Sequence, residues 1–345
     1  MRAVQLHTWE SEAHLVEVPR PRPGPGEVLL RVDAAGLCHS DLHMMEWPEG
    51  TAPFELPFTL GHETAGTVVA LGPGAGGVSE GERVLVHSLW GCGSCRGCRE
   101  GAENRCEAPL ESRRGFGGGV GRDGGLAEYI VVPSARYLVP IDGLDPAAAA
   151  PLADAALTPY HAIKLSAHRL SPGSTAVVIG VGGLGHMAVQ LLRAISGVRI
   201  VAVDVRDKAL ELARAAGAHL TIPATGLTPA ELRAGVGRPG AALVLDCVAS
   251  DATLELAAGV VAIGGDLSYV GRGGGSLGVT PARLPFEVSV RLPSWGTLPE
   301  LMEVVALARD GAIRTEVERL DLEHAIDGYR RLARGEIRGR AVVVN

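Results

Sequence analysis

The chain has 345 residues, 46% of them apolar and only 4% aromatic, with 39 acidic against 32 basic residues and a net charge of −7. That is chain enough for about two domains whose cores are packed from Val, Leu, Ile and Ala. The interspersed charge excludes a surface built for nucleic acid or anionic membrane, and the 47 glycines and 22 prolines follow no period, which excludes collagen-like and low-complexity chains.

Met1 to His7 alternates as a strand does and lacks the pattern of a secretory signal, so a cytoplasmic protein is expected. A Pro/Gly-rich turn, Pro19 to Gly26, leads into a strand over Val28 to Val32. Thr64 to Leu71 and Arg83 to His87 are the next strands, separated by turn residues. Two short motifs lie among them, Cys38-His39-Ser40-Asp41-Leu42-His43 and Gly61-His62-Glu63. A catalytic zinc takes about three protein ligands and leaves one position open. Cys38 and His62 are the natural first two, and spacing leaves the third open among Glu63, Asp154, His43 and His161.

Residues 90 to 125 show little regular pattern, and a loop that long needs a reason. Cys92, Cys95, Cys98 and Cys106 supply one. Four thiolates close a tetrahedral shell with no open position, which describes a structural zinc better than a catalytic one. An iron–sulfur cluster is the chemical alternative, but the fourth cysteine is distant and no proline follows it. The Gly-rich stretch Phe116 to Gly125 reads as a flexible surface loop beside this site.

The texture changes near residue 150. The apolar run Ala147 to Ala150 is interrupted by Pro151 and Asp154 and cannot span a bilayer. Thr175 to Ile179 is a continuous apolar strand, followed by a helix over Leu184 to Ile195, a strand over Arg199 to Asp204 and a helix over Lys208 to Ala216. Ala242 to Asp246 and Val260 to Ile263 continue the series, which predicts a parallel sheet covered on both faces. Between the first strand and helix runs Gly180-Val181-Gly182-Gly183-Leu184-Gly185. Gly180 permits the turn, Gly182 lets a pyrophosphate approach the backbone, and Gly185 lets helix and strand pack closely, with the helix N-terminus facing the phosphates. Asp204 ends the next strand, where a carboxylate accepts ribose hydroxyls and repels a 2′-phosphate. NAD is therefore expected over NADP, although Arg206 is the residue an NADP site would want. Helices over Pro299 to Arg309 and Leu322 to Leu332 and a strand over Ala341 to Val344 follow, and periodicity does not assign them to a domain.

In this order the motifs resemble the zinc-containing medium-chain alcohol dehydrogenases over essentially the full length. Pro151 to Tyr160 and Ile337-Arg338-Gly339-Arg340 look like the bacterial NAD-dependent secondary alcohol dehydrogenases of the Rhodococcus type. The resemblance implies an α/β chain, with a GroES-like, mainly-β catalytic domain (1–153, with 295–345 returning to it) and an inserted Rossmann-like cofactor domain (154–294). It implies Cys38, His62 and Asp154 as catalytic zinc ligands and Glu63 as a carboxylate able to approach the metal. Asp41 would orient His62, Ser40 would take the substrate proton, and His43 would relay it. Thr158 would meet the nicotinamide and Arg340 the pyrophosphate. Two zinc ions per subunit, NAD, and a homo-oligomer, favoured as a tetramer, complete the expectation. Trp47, Phe54, Leu89, Leu110 and Phe116 are placed near an apolar pocket by region alone.

Secondary alcohols and ketones are the expected substrates, with primary alcohols, aldehydes or polyols as the alternative. A zinc-free NADPH-dependent quinone or enoyl reductase on the same fold would not need Cys38, His62 or the four cysteines. A zinc knuckle binding nucleic acid is opposed by the net charge and the nucleotide fingerprint.

Overall fold

A computed structural model describes residues 1–345. They form two compact units. One comprises residues 1–154, 297–310 and 315–345, and the other residues 155–296 and 311–314.

The first unit is mainly β. Its larger sheet runs in the order Leu138–Pro140, Arg83–Val86, Glu63–Leu71, Val28–Gly36, Arg340–Val344, Val317–Leu320. Val28–Gly36 is longer than its apolar pattern announced and organises the unit. Along one edge, Val28 to Arg31 face Tyr129–Val132 and Ala34 to Gly36 face Val342 to Val344, so two distant strands lie end to end beside it. Its other edge pairs with Glu63–Leu71, with Gly36 opposite Glu63. A second sheet pairs Arg2–Leu6 with His14–Glu17 and Phe58–Thr59. The helices Leu298–Arg309 and Ala325–Ala333 belong to this unit. The latter is preceded by a 3-10 turn, Leu322–His324, where periodicity had suggested one continuous helix.

The second unit is a six-stranded sheet with every pairing parallel, in the order Leu220–Pro223, Arg199–Asp204, Thr175–Ile179, Ala241–Asp246, Val261–Tyr269, Ser289–Arg291. Burial of both faces explains the unbroken Val/Ile/Leu runs. Val177, Ile179, Val201, Val203, Val244 and Leu267 sit in one core with Leu232, Leu256 and Ala257. The helix Pro229–Val236 starts with a Thr228/Glu231 capping box, and Asp251–Val260 starts at Ser250, whose side chain accepts from Thr253 N–H. Both starts are written in the sequence, though neither helix stood out by periodicity. The strand order reverses between Thr175–Ile179 and Ala241–Asp246, the point in such sheets where a crevice opens beyond the strand ends.

No helix is long and apolar enough to cross a membrane.

Candidate metal and nucleotide sites

Cys38 caps the N-terminus of the helix His39–Met45, and its N–H donates to the Asp41 carboxylate at 3.1 Å. His62 directly precedes the strand Glu63–Leu71, and Asp154 follows the 3-10 turn Ala150–Ala153. All three are buried, and one donor atom from each lies within 4.8 Å of the others. Cys38 Sγ is 3.4 Å and His62 Nε2 3.6 Å from Asp154 Oδ2. The edges of a tetrahedron with ordinary zinc bond lengths are about 3.4–3.6 Å. A thiol, an imidazole and a carboxylate therefore fit a zinc ion with a position to spare. Burial works against charge on His62, yet Asp41, Cys38 and Asp154 raise its pKa well above the ordinary value. The pocket favours a cation. His43 and His161, open as third ligands by spacing, lie outside the cluster.

Asp41 Oδ1 is 3.2 Å from His62 Nδ1, so the ring turns Nε2 toward Cys38 and Asp154. Glu63 is fully buried and held by Arg340 through Nε (2.8 Å) and Nη2 (2.6 Å). Arg340 Nη2 also reaches Asp154 Oδ2 at 3.1 Å. A two-pronged guanidinium of this kind fixes a carboxylate in position. A side chain at position 36 would overlap the Glu63 carboxylate, 1.9 Å from an added Cβ, so Gly36 is what lets the pair sit beside the cluster. Ser40 Oγ is 3.5 Å from Cys38 Sγ. His43 is 36% exposed, with Glu46 at 4.0 Å.

The Gly-rich stretch is not the flexible surface loop its composition suggests. Gly117 to Val120, Gly124 and Gly125 are buried. An added Cβ at Gly119, whose φ is +78°, would lie 2.5 Å from the Gly61 carbonyl carbon, and one at Gly124 2.4 Å from Gly61 O. Gly125 N–H donates to Gly61 O at 2.8 Å, Gly118 N–H to Ser88 O at 3.0 Å, and Ser88 Oγ to His62 O at 2.6 Å. Glycine occurs here because backbone packs on backbone, and the result is a cradle for His62. Spacing alone gave no sign of it.

Cys92, Cys95, Cys98 and Cys106 bring their sulfurs within 4.8 Å of one another. The N–H of Cys95 points at Cys92 Sγ and that of Cys92 at Cys106 Sγ, each at 3.4 Å. The Ser94 backbone and hydroxyl, with the Cys95 N–H, bring the Cys92 thiol down to about 5, while burial pushes Cys98 up to about 12. Arg136 ties this lobe down, donating to Cys98 O at 2.8 Å and pairing with buried Glu103. Four sulfurs with N–H donors and no oxygen ligand suit a closed structural zinc.

Of the apolar residues placed by region, Trp47 and Phe54 meet at 5.8 Å between ring centroids. Trp9, which the sequence reading did not single out, joins them at 6.2 and 5.9 Å. Leu89 is buried and bridges to Gly117. Leu110 and Phe116 are half-buried.

In the second unit the loop glycines have distinct reasons. Gly180 has φ +84°, and a Cβ there would meet Val248 at 2.5 Å. A Cβ at Gly185 would overlap Gly180 O at 1.9 Å. At Gly182 the nearest atom to an added Cβ is Arg206 Nη2 at 3.7 Å, so no protein contact demands glycine, as expected where a ligand approaches the backbone. Gly183 and Leu184 open the helix Gly183–Ile195. Asp204 Oδ2 accepts from Val181 N–H at 2.7 Å, which braces the loop. Its Oδ1 accepts from Arg206 N–H at 2.9 Å and Nε at 3.1 Å. Arg206 thus lies on Asp204. Thr158 is buried in the helix Leu157–Leu165.

The sequence matches the alcohol dehydrogenase GroES-like domain over residues 24–143 and the zinc-binding dehydrogenase domain over residues 183–327. It is 36% identical to a NAD-dependent alcohol dehydrogenase of Sulfurisphaera tokodaii, with all of both chains covered. Among solved structures it is similar to the alcohol dehydrogenase of the hyperthermophilic archaeon Aeropyrum pernix (TM-score 0.92, 33% identity, 100% of both chains). It is also similar to the acetophenone reductase of Geotrichum candidum in complex with NAD (TM-score 0.87, 33% identity, 100% of this chain and 97% of that one).

Proposed function

Because the chain belongs to the zinc-type medium-chain alcohol dehydrogenases, we propose that it transfers a hydride between NAD(H) and an alcohol/carbonyl pair, with secondary alcohols and their ketones as substrates. The observation that carries this reading is the buried convergence of Cys38, His62 and Asp154 at tetrahedral spacing. Bound there, zinc would supply Lewis acidity toward the substrate oxygen, while NAD would take up the hydride. Cys38, His62 and Asp154 would hold that ion, and Cys92, Cys95, Cys98 and Cys106 a second, structural one. Glu63, kept beside the cluster by Arg340, would be a spare carboxylate for that ion. Ser40 takes the alcohol proton at Oγ, and the part-exposed imidazole of His43 passes it on.

In the second unit the N–H groups opening Gly183–Ile195 receive the pyrophosphate, and Asp204 receives the adenosine ribose. By the resemblance alone, Thr158 would meet the nicotinamide and Arg340 the pyrophosphate, the latter from a guanidinium already buried on Glu63 and Asp154. The ketone preference is supported by the acetophenone reductase among the structural relatives. The resemblance at Pro151 to Tyr160 and Ile337 to Arg340 supports the Rhodococcus-type kinship. A homotetramer is proposed, supported by the open edge at Ser289–Arg291, where Phe286 and Leu292 are each 74% exposed. A cytoplasmic setting suits six cysteines without a disulfide.

The test is absorbance at 340 nm with NADH and acetophenone, with NADPH and hexanal in parallel. NADH oxidation by the ketone is expected. Turnover with hexanal alone would move the substrate to primary alcohols, and turnover with NADPH alone would overturn the role of Asp204.

A further inference from the structure

Tyr329 sits in the helix Ala325–Ala333, far along the chain from the metal-binding motifs. Its hydroxyl donates to Asp41 Oδ2 at 2.7 Å, between two fully buried side chains 288 residues apart. The same oxygen accepts from the Cys38 N–H, and the other, Oδ1, faces His62 Nδ1. The Cys38 bond runs from the N-cap to the third residue of one seven-residue helix, so it moves with that helix and gives Asp41 no external reference. The phenol does. Its helix is seated hard against the residue before Cys38, since a Cβ on the neighbouring Gly328 would lie 2.7 Å from Leu37 Cδ1 and 2.6 Å from Leu320 Cδ1. Leu37 N–H is itself bonded to Ala341 O at 2.9 Å. Burial and the adjacent Asp41 push the phenol pKa well above its ordinary value, so it stays a donor.

We infer that Tyr329 is a positioning residue for the Cys38–His62–Asp154 metal centre: its hydroxyl fixes the Asp41 carboxylate, and through it the ring orientation and tautomer of His62. The inference rests on the reading of that cluster as a zinc site. Residues that orient a metal ligand carry about 10–100-fold in metal affinity when lost. Tyr329 acts through one such residue, so its share lies at about the lower bound.

The experiment compares the full-length wild type with Tyr329→Phe, Asp41→Asn and the double variant. Zinc release to a chromophoric chelator is followed from both sites, and the visible spectrum is recorded after cobalt replaces zinc at the Cys38 cluster. Tyr329→Phe is expected to speed zinc release from that cluster by about 10-fold and to shift the cobalt bands, while release from the four-cysteine site stays unchanged. Adding Tyr329→Phe to Asp41→Asn is expected to add nothing. Unchanged release and spectrum in Tyr329→Phe would overturn the inference. So would equal acceleration at both sites, which marks general loosening, or an undiminished effect on the Asp41→Asn background. A wild type that takes up zinc only at the four cysteines overturns the metal-site reading itself, an outcome visible before any variant is compared.

Discussion

Cys92, Cys95, Cys98 and Cys106 draw their geometry from fifteen consecutive residues (92 to 106), whereas Cys38, His62 and Asp154 draw theirs from strands paired across the first unit. In the four-cysteine lobe the groups on the sulfurs are local, with N–H donors of Cys92 and Cys95 on neighbouring sulfurs, and Arg136 braces the segment from outside it. Around the buried cluster they are remote: Arg340 on Glu63 and Asp154, Tyr329 on Asp41, and a glycine cradle under His62. The lobe takes its sulfur spacing from its own segment. The buried cluster needs the sheet to be assembled first.

That contrast can be broken most severely at Arg340. Arg340→Met leaves the buried Glu63 carboxylate without its partner and should destabilise the protein by about 3–5 kcal/mol, measured by urea unfolding. A loss below about 1 kcal/mol would mean that Glu63 takes up a proton at little cost. Next comes Gly119→Ala, which puts a methyl against Gly61 at a left-handed backbone position. It should cost about 1–3 kcal/mol and reduce metal content at the Cys38 cluster while the four-cysteine site stays filled. Equal loss from both sites would dissolve the proposed difference between them.

Arg136→Met is the matching probe of the lobe. It leaves Glu103 buried and unpaired, at about 1–2 kcal/mol, and hydrogen exchange should rise over residues 92–106 but not in the strand Val28–Gly36. The smallest effect is expected at the surface pair Arg330–Glu12, with 2.7 Å between Nη2 and Oε2. Hydrogen bonding from Arg330 lowers the Glu12 pKa below 4.5. Its contribution is therefore complete above that value and is lost as pH falls through the folded-state pKa. Glu12→Gln should lower the melting temperature slightly at pH 7, and by progressively less as pH falls below the ordinary carboxylate range.

The same division decides what could be read in advance. The four cysteines and the glycines at 180, 182 and 185 announce themselves because their geometry is local and their spacing carries it. The parallel sheet was legible from its unbroken apolar runs, but its edge strands Leu220–Pro223 and Ser289–Arg291, only half-buried, carry too little apolar pattern to stand out. Spacing left four candidates beside Cys38 and His62, since a side chain 116 residues from Cys38 is brought to it only by the folded sheet. The glycines of 117–125 misled for a related reason: high glycine content marks both mobile loops and backbones pressed together, and only the partner strand distinguishes them. Tyr329 carried no motif at all, because its role exists only once the helix Ala325–Ala333 has docked.

The place of Tyr329 and Arg340 along the chain sets a timetable for synthesis. On the ribosome, Cys38, His62 and Asp154 emerge long before the residues that orient and brace them, and the whole parallel sheet of the second unit is translated in between. The four cysteines of the lobe have all been made by residue 106, and Arg136, which braces them, follows thirty residues later. The buried cluster must wait until the strand Arg340–Val344 has docked against Val28–Gly36. Assembly of the two clusters is thereby separated along the chain, and a chain cut short before residue 340 would hold the four cysteines without the guanidinium that braces Glu63 and Asp154.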